Sequence, residues 1–447
     1  MKKLVLSLAG TVVLGLAFMA ISCSNASEST DGGDLDAEDG ADVDPCEAAQ
    51  DQWNEIWQSG LVDLGLLGQT PDTNIMDVWG DSSDNIYAVG FNGTIMHYDG
   101  TTWTKMESAT TADLEGVWGY SIKDDTGALV RQDVFAVGSG GTIIRYNGIN
   151  WSPALVVNDP DIANPNPQPV TDNLHDVWGI AANGTGPDAY PLVIAVGAEG
   201  TILRYDGPTN RFIEMRERQE FTQADGTVRV SWVRVTPERL GGVFAAGSLG
   251  DPLVITVGNN GTILELSGDT WSRNQNITPP GVFVEHLNGV WGRGSWEVFA
   301  TGIDGTVLRR DNGGTWHRLQ KENPDLWTLE PIYLRGVWGF VQSYCGEYPE
   351  IPDGGEPPEN PVRQDTSWAI FVGWDGTVLM GHDGLICPFQ VPTSNRLESI
   401  WGLAPRPESE RWIDGGTSDG GVECDPVEVI ITGVNGTILR LYNEQGR

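Results

Sequence analysis

Two aspartates, Asp77 and Asp176, hold the same place in two copies of a recurring stretch, Met76-Asp77-Val78-Trp79-Gly80 and His175-Asp176-Val177-Trp178-Gly179. Carboxyl groups brought together from separate strands can divide the work of an acid and a base, as in glycoside hydrolysis. The five other copies carry Gly116, Gly242, Gly289, Gly336 and Ser399 at that place. A column of small residues is first explained by strands crowding together, so Asp77 and Asp176 are weak candidates for a binding site. Other chemistry is sparse. His97, His175, His286, His317 and His382 show no short metal spacing, and neither Gly-x-Ser-x-Gly nor His-Glu-x-x-His occurs. No metal or cofactor is expected. Arg145, Arg204, Arg309, Arg310 and Arg440 fall on strands away from the innermost positions, so the spacing does not place a ring of arginines around a central mouth.

The elements that would position these residues are short strands. Leu114 to Trp151 shows the unit: Leu-Glu-Gly-Val-Trp-Gly, a polar insert, Val-Phe-Ala-Val-Gly, Gly-Thr-Ile-Ile-Arg-Tyr, and a turn leading to Trp151. Each apolar run is four to six residues long, rich in β-branched or aromatic side chains and closed by Gly or Asn. Seven copies align. Their first strands contain Trp79, Trp118, Trp178, Phe244, Trp291, Trp338 and Trp401. An exposed ring of indoles could stack on sugars, but Phe244 keeps the bulk and loses the N–H, which favours packing between neighbouring sheets.

Asn92, Gly140, Glu199, Asn260, Asp304, Asp375 and Asn435 each precede a Gly-Thr pair. This column reads as the positive-φ position of a tight hairpin, because Gly140 and three Asn would interrupt any ring of carboxylate ligands. Outer tryptophans follow at Trp103, Trp151, Trp271 and Trp316, with Phe212 near that place in the third copy and Cys387 in the sixth. The seventh copy lacks a fourth strand. Asp51 to Asp63 has strand character and no copy of its own, so it is expected to complete the seventh. The expected fold is therefore all-β, a seven-bladed β-propeller of four-stranded antiparallel blades over residues 51–447. A linear solenoid is the alternative; its terminal repeats would be polar caps, whereas these ends complement each other.

Residues 1–22 read as a signal peptide, with Lys2 and Lys3 before an apolar run. Residues 23–50 hold nine acidic and no basic side chains and read as a solvated tether. Residues 51–447 carry 53 acidic against 24 basic side chains, a surface unsuited to nucleic acid. Of the five cysteines, Cys23 stands at the processing site. The long inserts after the first strands of copies six and seven each carry one cysteine, which pairs Cys345 with Cys424 and leaves Cys46 for Cys387.

Ala20-Ile21-Ser22-Cys23 resembles the bacterial lipobox, which implies that Cys23 is lipidated. Ser24, where Asp would favour inner-membrane retention, then points to the outer membrane. The repeats, Val-Trp-Gly, Val-Phe-Ala-Val-Gly, Gly-Thr-Ile and Tyr-Asp-Gly before Trp, resemble those of exported propeller lipoproteins of Gram-negative bacteria, particularly myxobacteria. Asp311-Asn312-Gly313-Gly314-Thr315-Trp316 is more distantly similar to the Asp box of sialidases and photosystem assembly-factor propellers. The resemblance implies a fold and no particular activity. The expectation is a monomeric, non-enzymatic module held at the membrane by its lipid, binding an envelope protein or polysaccharide through its inserts. A glycoside hydrolase or lyase, or a purely structural envelope protein, are the alternatives.

Overall fold

The computed structural model describes residues 46, 57–61, 74–124, 126–158, 168–182, 184, 189–223, 227–278, 285–319, 332–342, 366–382, 385–403 and 427–443. Residues 1–22, the tether apart from Cys46, and the Cys345–Cys424 pair lie outside them. Apart from one two-stranded ribbon, the described strands form mainly antiparallel sheets, each built outward from a strand that contains the Val-Trp-Gly motif or its equivalent.

Sheet 1 comprises Ile75–Ser82, Asn85–Gly90, Thr94–Tyr98 and Trp103–Lys105, and sheet 2 Leu114–Lys123, Leu129–Gly138, Thr142–Tyr146 and Trp151–Pro153. Sheet 3 contains Leu174–Ile180, Leu192–Gly197, Ile202–Asp206 and Arg211–Glu214, and gains Leu155–Val157 as a parallel outer strand. Sheet 4 is Leu240–Ser248, Asp251–Gly258, Thr262–Ser267 and Thr270–Arg273. Sheet 5 is Leu287–Gly294, Glu297–Gly302, Val307–Arg310 and Trp316–Arg318, with Ile277–Thr278 added in parallel. Sheet 6 is Leu334–Gln342, Thr366–Gly373, Val378–His382 and Leu385–Pro388. Sheet 7 has Leu397–Leu403, Glu428–Gly433 and Ile438–Asn443, and its outer strand is Trp57–Leu61, antiparallel with Leu61 opposite Leu439. First strands touch in chain order, and that of sheet 7 touches that of sheet 1.

The Val-Trp-Gly motif is an intersheet joint. A Cβ on Gly119 would lie 2.8 Å from the Trp79 ring, on Gly179 2.8 Å from Trp118, on Gly402 2.6 Å from Trp338 and on Gly80 2.9 Å from Trp401. Each indole thus rests on the glycine of the following sheet, where any side chain would intrude. Phe244 fills the same slot against Gly292. Trp79, Trp118, Trp338 and Trp401 are buried, which identifies these four as packing rather than a stacking platform, while Trp178 and Trp291 are half-buried.

The hairpins confirm the turn column: the residue before each Gly-Thr has positive φ, as at Asn92 and Asp375, and so does the glycine after it. Three or four residues separate the strands, at least one more than in the tightest hairpins, as in Phe91–Gly93. The extra residue lets the turn dock on the next connection, where a Cβ on Gly93 would fall 2.1 Å from the Thr110 carbonyl.

Two expectations need correction in detail. The insert Tyr120 to Gln132 is largely strand, extending the first hairpin of sheet 2, with Tyr120 and Gln132 buried. In sheet 6 the register of the outer tryptophans belongs to Ile386, opposite Gly381, rather than to Cys387. The one-residue offset turns Cys387 to the other face of the sheet. There it packs with Trp338, Met380 and Val429 and is disulfide-bonded to Cys46.

Candidate functional site

The innermost strands surround a cavity of about 270 Å³, lined by Asp77, Asp176, Glu115, His175, Arg239, Asn288, Arg335 and Glu398 among others. Asp77 and Asp176 both reach it, and both are tied to backbone. Asp77 accepts hydrogen bonds from the N–H groups of Val78 at 2.9 Å and Val117 at 2.7 Å, and from the Ser399 hydroxyl at 2.5 Å. It therefore joins sheet 1 to sheets 2 and 7. Asp176 accepts from Val177 and, at 2.8 Å, from Val243 of sheet 4. The glycines that replace them confirm crowding: a Cβ on Gly116 would lie 2.9 Å from the Asp176 Cα, and one on Gly289 2.2 Å from the Arg335 carbonyl.

Burial pushes the Asp77 carboxyl up to about 6 against the pull of its three hydrogen bonds. Asp176 is raised well above the ordinary carboxylate value, by burial first and by the charge of Asp77 second. A folded pKa above the unfolded one adds stability that is complete below the unfolded value, near pH 4, and disappears as pH rises through about 6. The stability of the native chain minus that of Asp77→Asn should accordingly be greater at about pH 4 than at pH 7, by something on the order of 3 kcal/mol. Urea unfolding at the two pH values measures it; a difference that does not change with pH would refute the raised carboxyl.

The residue after the initial hydrophobic position of each first strand was not singled out by sequence: Met76, Glu115, His175, Gly241, Asn288, Arg335 and Glu398. This column supplies most of the cavity's polar lining. His175 Nδ1 is 2.7 Å from Glu115, and Arg335 Nε donates to Glu398 at 2.8 Å. Arg396 pairs with the same glutamate. Two arginines outside the third strands, Arg239 and Arg335, line the cavity. Arginine on third strands does lie elsewhere and serves the frame. Arg145 meets Asp133, Arg309 meets Glu297 and Arg440 meets Glu428, in each case an acid two residues before the cross-strand partner. His97 and Asn85 make the neutral version at 2.9 Å.

A second feature lies in the long connection after sheet 3. Glu217–Thr222 and Val228–Val233 pair only with each other as a ribbon. Phe221, Val228 and Trp232 on it are exposed. Beside its base, Glu217 helps to line a groove of about 540 Å³ with Tyr190, Arg204, Met215, Arg216 and Trp271. Among the described residues no group of His, Cys, Asp or Glu is arranged to hold a metal ion.

No family model matches the chain, and no curated protein matches it. Similar solved structures are β-propeller proteins and complexes. YCF48 bound to D1 peptide has 13% identity over 86% of this chain and 94% of that one, with a TM-score of 0.45. The WD40 β-propeller domain of Doa1 has 11% identity over 87% and 98%, with a TM-score of 0.46. BBS1N in complex with ARL6DN has 13% identity over 84% and 92%, with a TM-score of 0.47.

Proposed function

We propose that the chain is a closed seven-bladed β-propeller of residues 51–447, anchored in the outer membrane through lipidated Cys23, that binds a protein or polysaccharide of the cell envelope without catalysis. The observation that carries the non-enzymatic reading is the commitment of the axial carboxyls. An acid and base must be free to exchange protons with a substrate, whereas Asp77 and Asp176 spend their oxygens on backbone N–H groups of neighbouring sheets. Closure is supported by the pairing of Trp57–Leu61 with Ile438–Asn443, by Trp401 against Gly80, and by the Ser399 to Asp77 bond.

Binding by the variable parts is supported by the ribbon after sheet 3. A two-stranded ribbon gains little from its own pairing, and exposed aromatic side chains on unpaired edges suit capture of a partner. Replacing residues 217–233 by a short turn should leave the melting temperature within a few degrees and abolish retention of the envelope partner by the purified chain. Unchanged retention would exclude the ribbon, and turnover of any glycan on an array would overturn the non-enzymatic reading in favour of a hydrolase or lyase.

A further inference from the structure

The residue just before each first strand forms a second column that shares no chemistry: Asn74, Asp113, Asn173, Arg239, His286, Tyr333 and Arg396. Several of these side chains cap the hairpin of the preceding sheet. Asp113 accepts the N–H of Asn92 at 2.9 Å, Asn173 that of Gly140 at 2.9 Å, His286 that of Asn260 at 3.2 Å and Asn74 that of Asn435 at 3.1 Å. Tyr333 instead stacks on Trp374, with ring centroids 4.4 Å apart. Arg396 lies over the same Trp374 and is neutralised by Glu398.

Arg239 does none of these things. A guanidinium has no acceptor for a hairpin N–H, and among the described residues the Arg239 side chain makes no hydrogen bond or ion pair. It turns instead over Gly241, whose missing side chain provides the room: a Cβ there would lie 2.9 Å from Arg239 Nη1. Arg239 is half-buried and lines the axial cavity. Burial, and then the nearby Arg335, hold its guanidinium below the ordinary arginine value, with Glu115 acting the other way. A cation withdrawn from water without a partner is costly and is retained where something else neutralises it.

We propose that the axial cavity binds a small monocarboxylate, with Arg239 as the charged anchor and Arg335 and Asn288 beside it. This rests on reading the chain as a binding module and names the chemistry of one of its sites. The carboxyl groups that line the cavity disfavour a ligand with more than one negative charge. Arg335 pairs with Glu398, and Glu115 faces His175, so of the two arginines that line the cavity Arg239 is, among the described residues, the one without a carboxylate partner. A dianion would meet Asp77, Glu115 and Glu398 across the same space. The planar guanidinium fork matches a carboxylate in two parallel hydrogen bonds. A cavity of about 270 Å³ lies at the small end of ligand pockets and admits one terminal group rather than a chain. The carboxylate could belong to an acidic sugar or to the end of a peptide.

The test is titration of the full chain in detergent with glucuronate, with N-acetylalanine and with inorganic phosphate, followed by tryptophan fluorescence, since Trp178 and Trp291 line the cavity. Saturable binding of at least one carboxylate at millimolar concentration is expected, and the preferred arm identifies the source as sugar or peptide. Phosphate should bind at least tenfold more weakly. Arg239→Met should weaken carboxylate binding by roughly tenfold or more, Arg239→Lys by less, and neither should lower the melting temperature, because no contact of the frame is lost. Absence of saturable binding by both carboxylates, equal binding of phosphate, or undiminished binding by Arg239→Met would each overturn the proposal. The chain lacking residues 217–233 should still bind the carboxylate, so failure of this site and failure of the ribbon's partner binding are read separately.

Discussion

Trp401→Ala is expected to lower the free energy of unfolding by about 3–5 kcal/mol. The indole is 8% exposed and fills the seam between sheets 7 and 1, against Gly80. Its loss would leave a cavity bounded by two sheets that are each held by their own hydrogen bonds, so the walls can collapse only in part. Trp401→Phe should cost less, because Phe244 occupies the corresponding slot against Gly292. Gly80→Ala is the complementary test. Its new methyl would stand 2.9 Å from the Trp401 ring and should cost about 1–3 kcal/mol by overpacking. Denaturant unfolding of the three variants measures these effects. Unchanged stability in Trp401→Ala, together with loss of glycan binding, would instead make the tryptophan column a sugar platform.

Breaking the Cys46–Cys387 disulfide is expected to have the other large effect. The bond spans a sequence separation of 341 residues, for which chain entropy gives a ceiling of about 6 kcal/mol. Native-state strain and residual order in the unfolded chain reduce this, so a loss of several kcal/mol is expected for Cys387→Ser. The remaining Cys46 would sit as a thiol in the same apolar cluster with Trp338, Phe340 and Leu441, which limits the packing penalty. Urea unfolding of the oxidised chain against the single and double serine variants checks it. Equal midpoints would show that the bond adds nothing to the noncovalent seam.

The repeating frame was legible because its columns repeat in chemistry as well as in place. Trp followed by Gly could be read as bulk facing a neighbour, and Asn-Gly or Asp-Gly as a hairpin. Completion of sheet 7 by an early segment followed from an unpaired run and a missing strand. The axial cavity was legible only in part. Asp77 and Asp176 stood out as carboxylates among glycines, but the lining column was hidden because Met, Glu, His, Gly, Asn and Arg share no property that a pattern search would notice. Arg239 was harder still. It precedes its strand, and its direction depends on an absent side chain at Gly241 and on the inability of a guanidinium to accept the bond that Asp113 or Asn173 accepts. Cys387 teaches the same lesson at smaller scale, since one residue of register decides which face of sheet 6 it joins.

The strand Trp57–Leu61 has as its partner Ile438–Asn443, almost the whole chain away. A ribosome delivers the first of these long before the second. While the intervening sheets form from local hairpins, the early strand has no edge to join, and sheet 7 is the last to be completed. Completion of sheet 7 is then a single late event of very high contact order, governed by the search of two distant segments for one another. Until it occurs the growing chain keeps an open edge, which is the state in which such proteins associate wrongly. A circular permutant that joins Trp57–Leu61 to the C-terminal side of Ile438–Asn443 would turn that search into the closing of one more hairpin.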